Sequence, residues 1–507
     1  MRRLEALNTA GLGYVDLDRS SPSLSRGEAQ RVRLALALTS RLEDMLHVLD
    51  EPTIGQHPAD VAHLLPALRQ LAGAVIYVEH DRLAASVADQ VVDLGPGAGR
   101  EGGRLIFRGP PAGLWKADTP TGRYFSLRQR VTVPPLRSEP ERFLTVRGAH
   151  LRNLRQIDVP IPLGRLTVIT GVSGSGKSTL VEDVLVASLS SGEPIGCQGI
   201  DGPQLKAVMV DQGPIGRNPR SNPATYTKLS DTVRDLFSTV TGLTPSHFSF
   251  NRPEGACPAC KGMGAIEVEM RYLPSTWIRC AVCDGRRFSD EVLSARVSFA
   301  EQSLSIAEFY AQSVGEALPL LAHEERLPEK SKHRAHRILK ALHDVGLGYL
   351  ALGQPSPTLS GGEAQRVKLA KYLGRSGLSS QLLVLDEPTT GLHPQDVSNL
   401  LTVLDRLVCR GATIVIVEHN ADVIRAADWA IDLGSGAGPA GGRVLFAGPA
   451  GQLAEQPSAT GQALRDDAGI QPRPPAAIRP PDRSPCISIR DARVHNLQGV
   501  DVDLPKG

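Results

Sequence analysis

Short, nearly continuous apolar runs alternate along this chain with longer segments in which apolar positions recur at helical spacing. The runs at 167–170 and 413–417 are rich in β-branched residues, and these and the run at 382–385 are too short for buried helices. This pattern predicts an α/β fold with a mostly parallel sheet, buried on both faces by helices.

The same order of elements occurs twice. AGLGYVDLDRSSPSLSRGEAQRVRLALAL is followed by HVLDEPTIGQHP, VIYVEHD and VVDLGPGAGREGG. VGLGYLALGQPSPTLSGGEAQRVKLAKYL is followed by LVLDEPTTGLHP, IVIVEHN and AIDLGSGAGPAGG. Leu24 falls on Leu359 at a separation far too large for a solenoid repeat, so the chain contains duplicated domains. A second echo joins FLTVRGAHLRNLRQIDVPIPLG at 143–164 to CISIRDARVHNLQGVDVDLPKG at 486–507. The resulting division is the back half of a unit at 1–129, a linker at 130–142 and a complete unit at 143–465 with an insert over about 228–345. A Pro-rich linker at 466–485 and the opening strands of a further unit, or of the first one, at 486–507 complete it. The chain is expected to be truncated or circularly permuted.

Composition adds little to this picture. The chain has 507 residues, is 41% hydrophobic and 22% charged, and carries a formal net charge of +2, which does not by itself indicate nucleic acid. It lacks any apolar run of the roughly 18 residues needed to cross a bilayer, and an apolar signal-peptide core, so a cytoplasmic protein is expected. Four of its seven cysteines form two C-x-x-C pairs, which suggests a metal site in a reducing compartment.

The chemistry centres on GVSGSGKST at 171–179, between an apolar run and a helical segment. A Gly-rich turn can be simple punctuation, but this spacing in this context makes a phosphate cradle. Gly171, Gly174 and Gly176 let backbone N–H groups face a polyphosphate, and Lys177 reaches its β- and γ-phosphates. Ser178 can ligate Mg²⁺, with Thr179 completing the motif. Asp386 and Glu387 end an apolar strand, where the first can hold the Mg²⁺ shell and the second can orient or deprotonate the attacking water. His419 ends the next strand and can sense the γ-phosphate, while Gln212 can link nucleotide occupancy to the insert. Each has a bland alternative, such as a helix cap or a satisfied histidine. LSGGEAQR at 359–366 opens a helix with a Ser-Gly turn and forms an anion site.

Cys257, Cys260, Cys280 and Cys283 suit a tetrahedral Cys₄ zinc site, which can equally serve as a plain staple for a loop-rich insert. Arg271, Tyr272, Trp277, Arg279, Arg286 and Arg287 cluster around it. Such a patch can contact phosphates and stack on a distorted base, or be an ordinary solvated face.

Together the phosphate loop, the LSGGE signature, LDEPT and the switch histidine resemble an ATP-binding cassette ATPase. In that family the signature of one cassette closes over nucleotide held by the other. The resemblance therefore implies a complete site in which Lys177, Gln212, Asp386, Glu387 and His419 meet Ser25 and Gly27 of the front unit. There, Arg26 in LSRGE replaces a family glycine, which is expected to slow turnover or alter gating. The twin site would use Asp50, Glu51, His80, Ser360, Gly361 and Gly362, and is expected to bind nucleotide weakly for want of a phosphate loop, unless another chain supplies one.

DQGPIGRNPRSNPATYT with Arg217 and Arg220, FSFNRPEGACPACKGMG, VEMRYLP, CAVCDGRRF and LSGGEAQRVKLA are together similar to the second cassette of the UvrA family. This resemblance covers most of residues 1–465. It implies ATP, Mg²⁺ and Zn²⁺ as cofactors, ATP-gated recognition of damaged DNA in nucleotide excision repair, homodimerisation and a UvrB partner. The family's UvrB-docking insert has no match here, which puts that partner in doubt and favours the compact, drug self-resistance branch. A soluble exporter ATPase subunit and a non-catalytic remnant are the competing readings. Zinc content and ATP-stimulated DNA binding separate the first of these, and turnover the second.

Overall fold

A computed structural model describes residues 2–21, 24, 26–39, 45–97, 99–135, 137–216, 218–270, 273–299, 302–373, 378–473 and 486–505. Of the sequence-derived candidates, Ser25, Arg217, Arg271 and Tyr272 lie outside the described residues, as does most of the second linker. The chain folds as two compact units, one of residues 1–210 with 377–507 and the other of residues 211–376. These units cut across the expected stretch 143–465, whose phosphate loop falls in the first and whose signature falls in the second.

The first unit is built on a six-stranded sheet in the order Arg443–Pro449, Trp429–Gly434, Leu166–Thr170, Thr413–Val417, Gln381–Asp386, Lys206–Val210. Only Arg443–Pro449 runs antiparallel. Every residue of Leu166–Thr170 and Thr413–Val417 is buried, as suits β-branched strands that are apolar apart from their threonines. In register, Asp386 pairs with Val417, Val417 with Ile169, and Thr170 with Asp432. The loops after Thr170, Asp386 and Val417 therefore leave the sheet at one carboxyl edge, where open α/β sheets bind ligands.

In the front repeat, Leu46–Asp50 pairs with Ala74–Val78 and Val91–Gly95 with Arg104–Gly109, as two separate ribbons. Among the described residues no strand bridges them as Leu166–Thr170 bridges its neighbours. The packing consequence is direct: Val48 is 66% exposed and Val78 51%, whereas the corresponding Val384 and Val417 are buried.

The two echoing hairpins dock in equivalent ways. Arg155 N–H donates to Gly442 O at 3.0 Å, and Gln498 N–H, in the turn between Cys486–Ala492 and Val500–Pro505, donates to Gly103 O at 2.9 Å. The final hairpin thus lies against the front repeat.

The second unit contains the helices Leu229–Thr241, Glu329–Leu342 and Gly361–Leu373, with hairpins Ala265–Met270/Leu273–Arg279 and Arg296–Phe299/Gln302–Ser305. Phe237, Phe248, Phe250, Phe288 and Phe309 form its aromatic core. Among the described residues no helix is long and apolar enough to cross a membrane.

Candidate nucleotide site and metal centre

The loop 171–178 begins with Gly171 at φ +131°, Gly174 at +75° and Gly176 at +106°. These left-handed values keep the cradle open, and a side chain on Gly171 would strike Leu433 O at 2.0 Å. The helix that follows starts with wide π turns over Thr179–Val186. Lys177 is only 8% exposed and donates to Gly171 O at 2.8 Å and Val172 O at 2.9 Å. Burial lowers its ammonium to about 8, against the pull of Glu387, Asp60, Asp386 and Asp432. Ser178 is exposed at the end of the loop.

Glu387 has φ +43°, and its front-repeat equivalent Glu51 has φ +46°. A non-glycine residue in this region stores strain of order 1–3 kcal/mol, and such strain concentrates at functional sites. Each carboxylate lies against a glycine of the other repeat. A methyl group on Gly55 would sit 2.5 Å from Glu387 Oε2, and one on Gly391 would sit 2.9 Å from Glu51 Oε1. The two DEPT-x-G loops therefore cross reciprocally.

A second reciprocal pair surrounds them. His57 Nε2 meets Thr460 Oγ1 at 3.1 Å, and Thr460 donates to Asp432 at 2.9 Å. His393 Nε2 meets Thr121 Oγ1 at 3.4 Å, and Thr121 donates to Asp93 at 2.9 Å. Burial holds both His57 and His393 near 4, so both rings are neutral.

His57 also stands edge-on to His419, with ring centroids 5.7 Å apart. Burial, with Lys177 and His57 nearby, keeps His419 far below the usual imidazole range. Its backbone N–H donates to Glu418 Oε2 at 2.7 Å, and Glu418 Oε1 accepts from Thr389 N–H at 3.0 Å. The front repeat has the same brace, Glu79 accepting from His80 N–H and Thr53 N–H, but His80 is exposed and 3.6 Å from Glu51.

The front repeat reaches the cradle at two further points. Ser173 N–H donates to Asp60 Oδ2 at 3.0 Å. The Tyr14 ring faces Gly174, where an added methyl would lie 2.8 Å from Cε2, and its hydroxyl donates to Glu28 at 2.8 Å. Glu28 follows Gly27 in the signature helix Arg26–Leu38, so Tyr14 ties that helix to the phosphate loop.

In the second unit, Ser360 Oγ accepts from Glu363 N–H at 3.2 Å while Glu363 accepts from Ser360 N–H at 2.8 Å. This capping box is the reason the S-G-G-E sequence starts the helix Gly361–Leu373 here. Gly362 is buried and Gly361 half-buried in its first turn. Gln212 is the second residue of this unit, two residues beyond the strand Lys206–Val210. Asp50 lies exposed at the end of its front-repeat strand.

Cys257, Cys260, Cys280 and Cys283 are all buried, with their sulfurs within 4.8 Å of one another. Cys260 and Cys283 sulfurs stand 3.7 Å apart, close to the edge of about 3.8 Å that a Zn–S bond of ~2.3 Å gives a tetrahedron. Gly264 N–H donates to Cys260 Sγ at 3.2 Å and Arg287 N–H to Cys283 Sγ at 3.3 Å, stabilising thiolates there. Burial pushes the Cys283 thiol up to about 12, while backbone N–H groups bring Cys280 down to about 7. A divalent cation is the group that deprotonates and holds such a set, so the residues fit zinc.

A model of the ABC transporter family matches residues 279–390, from the second cysteine pair through the loop after Glu387. UvrABC system protein A of Methanothermobacter thermautotrophicus is 47% identical over 483 residues, covering 92% of this chain and 49% of that protein. The Streptomyces coelicolor protein of the same name is 46% identical, with 92% and 47% covered. The crystal structure of UvrA2 from Deinococcus radiodurans aligns with a TM-score of 0.85 at 44% identity, over 92% of this chain and 57% of that one. The chain belongs to the UvrA family. It spans about half the length of the curated relatives it matches.

In this UvrA-family chain the basic patch around the cysteines is smaller than its composition implies. Arg287 does not join it: only 8% exposed, it lies over the Phe250 ring at 5.2 Å. Its backbone serves Cys283, so its side chain is drawn inward with the knuckle. Arg286 is exposed, and Arg279 is exposed but paired with Asp284 at 3.0 Å. Arg220 is half-buried and donates to Lys261 O at 3.0 Å.

Sequence reasoning missed Tyr14, Gly55, His57 and Asp60. For Gly55 and His57 a signal exists, since both DEPT motifs continue as TIGQHP and TTGLHP. Nothing local distinguishes Asp60 from any other first-turn helix acid.

Proposed function

We propose that this UvrA-family chain binds Mg²⁺-ATP at the Lys177 loop, hydrolyses it, and uses the cycle to control binding to damaged or drug-modified duplex DNA. The observation that supports this best is the convergence of Lys177, Glu387 and His419 with front-repeat residues in one folded unit.

Backbone N–H groups of the loop and Lys177 would hold the β- and γ-phosphates, with Ser178 and Asp386 holding Mg²⁺. Mg²⁺ would neutralise charge developing on the transferred phosphoryl group. Glu387, fixed by its strained backbone and by Gly55, orients the water, and neutral His419 can donate an N–H to the γ-phosphate. The Cys₄ centre would hold zinc and so shape the hairpin that carries Trp277, Arg279 and the nearby Arg286 toward DNA. Homodimerisation and a UvrB-type partner belong to the same reading, by analogy with the family.

The test is ATP turnover by the purified chain with and without damaged duplex, alongside its zinc content. DNA-stimulated turnover that Lys177→Ala abolishes, with Glu387→Gln retaining ATP unhydrolysed, is expected. Equal turnover in the parent and both variants would refute the assignment.

A further inference from the structure

The phosphate cradle already contains an anion of the protein's own. Asp60, from the front repeat, accepts the Ser173 N–H at 3.0 Å. Ser173 is inside the glycine-rich loop, whose N–H groups are the donors that polyphosphate requires. The same carboxylate is among those whose charge acts on the Lys177 ammonium. That ammonium is turned onto Gly171 O and Val172 O, within the loop itself.

Asp60 also has somewhere else to go. It stands in the first turn of the helix Pro58–Leu68, where His57 Nδ1 caps Ala59 N–H at 3.1 Å. A carboxylate in a first helical turn is favoured by the dipole of its own helix even though His57 already accepts from the Ala59, Asp60 and Val61 N–H groups. Releasing Ser173 therefore does not strand the charge.

We propose that Asp60 is a built-in competitor for the terminal phosphate, which must displace it from the Ser173 N–H before ATP can seat fully in the loop. Adenosine diphosphate, which does not carry that phosphate, leaves the contact in place. The front repeat thereby lowers the affinity of the loop for ATP selectively, and ATP entry frees the helix that follows the Glu51 loop. This rests on the reading of the Lys177 loop as an ATP site.

The experiment is calorimetric titration of the full chain with Mg²⁺-AMP-PNP and with Mg²⁺-ADP at neutral pH. Asp60→Asn keeps the shape and a neutral acceptor for Ser173 while removing the charge. It is expected to tighten AMP-PNP binding by at least about tenfold and to change ADP binding by less than about threefold, in line with the weight of one charged hydrogen bond. Unchanged or weaker AMP-PNP binding overturns the proposal, as does equal tightening for both nucleotides. Asp60→Ser gives the same comparison if the Asn variant does not fold. Lys177→Ala separates the two levels: AMP-PNP binding at parental strength in that variant would refute the ATP site itself, whatever Asp60 does.

Discussion

Replacing Gly55 with Ala offers a sharp test of the crossed loops. The substitution has two costs that can be told apart. The first is backbone strain, because φ at Gly55 is +63° and a side chain there costs about 1–2 kcal/mol. The second is a clash, since the methyl group would lie 2.5 Å from Glu387 Oε2 and 2.8 Å from Oε1, where an ordinary contact is at least 3.4 Å. The carboxylate must therefore withdraw by about 1 Å, and a displacement of that size at a reacting group costs about 100-fold in rate.

Gly391→Ala is the matched control. Its φ is +67°, and its methyl would meet Glu51 Oε1 at 2.9 Å, so it imposes the same backbone strain and a milder clash on the other carboxylate. Both variants should lose similar thermal stability. Steady-state hydrolysis with parallel nucleotide titrations should show kcat reduced by about 100-fold in Gly55→Ala, with nucleotide affinity changed by less than about fivefold. Gly391→Ala should retain at least ten times the turnover of Gly55→Ala. Parental turnover in Gly55→Ala, or equal losses in the two, would refute the assignment of Glu387 to the chemistry.

Three further outcomes follow from the site. Because burial brings Lys177 down to about 8, its charge is about half lost at that pH and mostly lost a unit above it; nucleotide affinity should hold from about pH 6 to 7 and weaken beyond pH 8 by up to about tenfold per unit, whereas a flat profile to pH 9.5 would refute a buried, easily deprotonated Lys177 ammonium. Arg286→Glu should weaken duplex binding in fluorescence anisotropy and reduce the salt slope by about one, while Arg287→Glu, placed over Phe250 beside Cys283, should instead lower stability and metal retention. Elemental analysis should find zinc in the parent chain, paired Cys257→Ser and Cys280→Ser substitutions should remove it and expose the aromatic core to dye binding, and unchanged metal content would refute the four-cysteine centre.

What the amino-acid sequence determined by itself were the features set within a few residues of chain. Glycine spacing dictates the left-handed turns of the phosphate loop, apolar β-branched runs dictate the buried strands, and S-G-G-E dictates the start of a helix. Each C-x-x-C pair presents its two sulfurs through its own backbone turn, and the short hairpin Ala265–Met270/Leu273–Arg279 between the pairs brings them together. These are short-range effects, so they are legible without knowing what lies opposite.

Which surfaces meet is another matter, decided by packing of the two repeats. The exchange of Glu51 with Gly391 and Glu387 with Gly55 depends on two loops far apart in sequence crossing at one place. Equal histidines in equal motifs differ for the same reason: His419 is buried beside His57, whereas His80 stands exposed. Arg287 and Arg286 are adjacent in the chain, yet one packs on an aromatic ring and the other faces water. Asp60 shows the limit most plainly, since its role at Ser173 depends on no local pattern. Burial and through-space charge act over distances of ångströms, and only the folded arrangement of both repeats sets those distances.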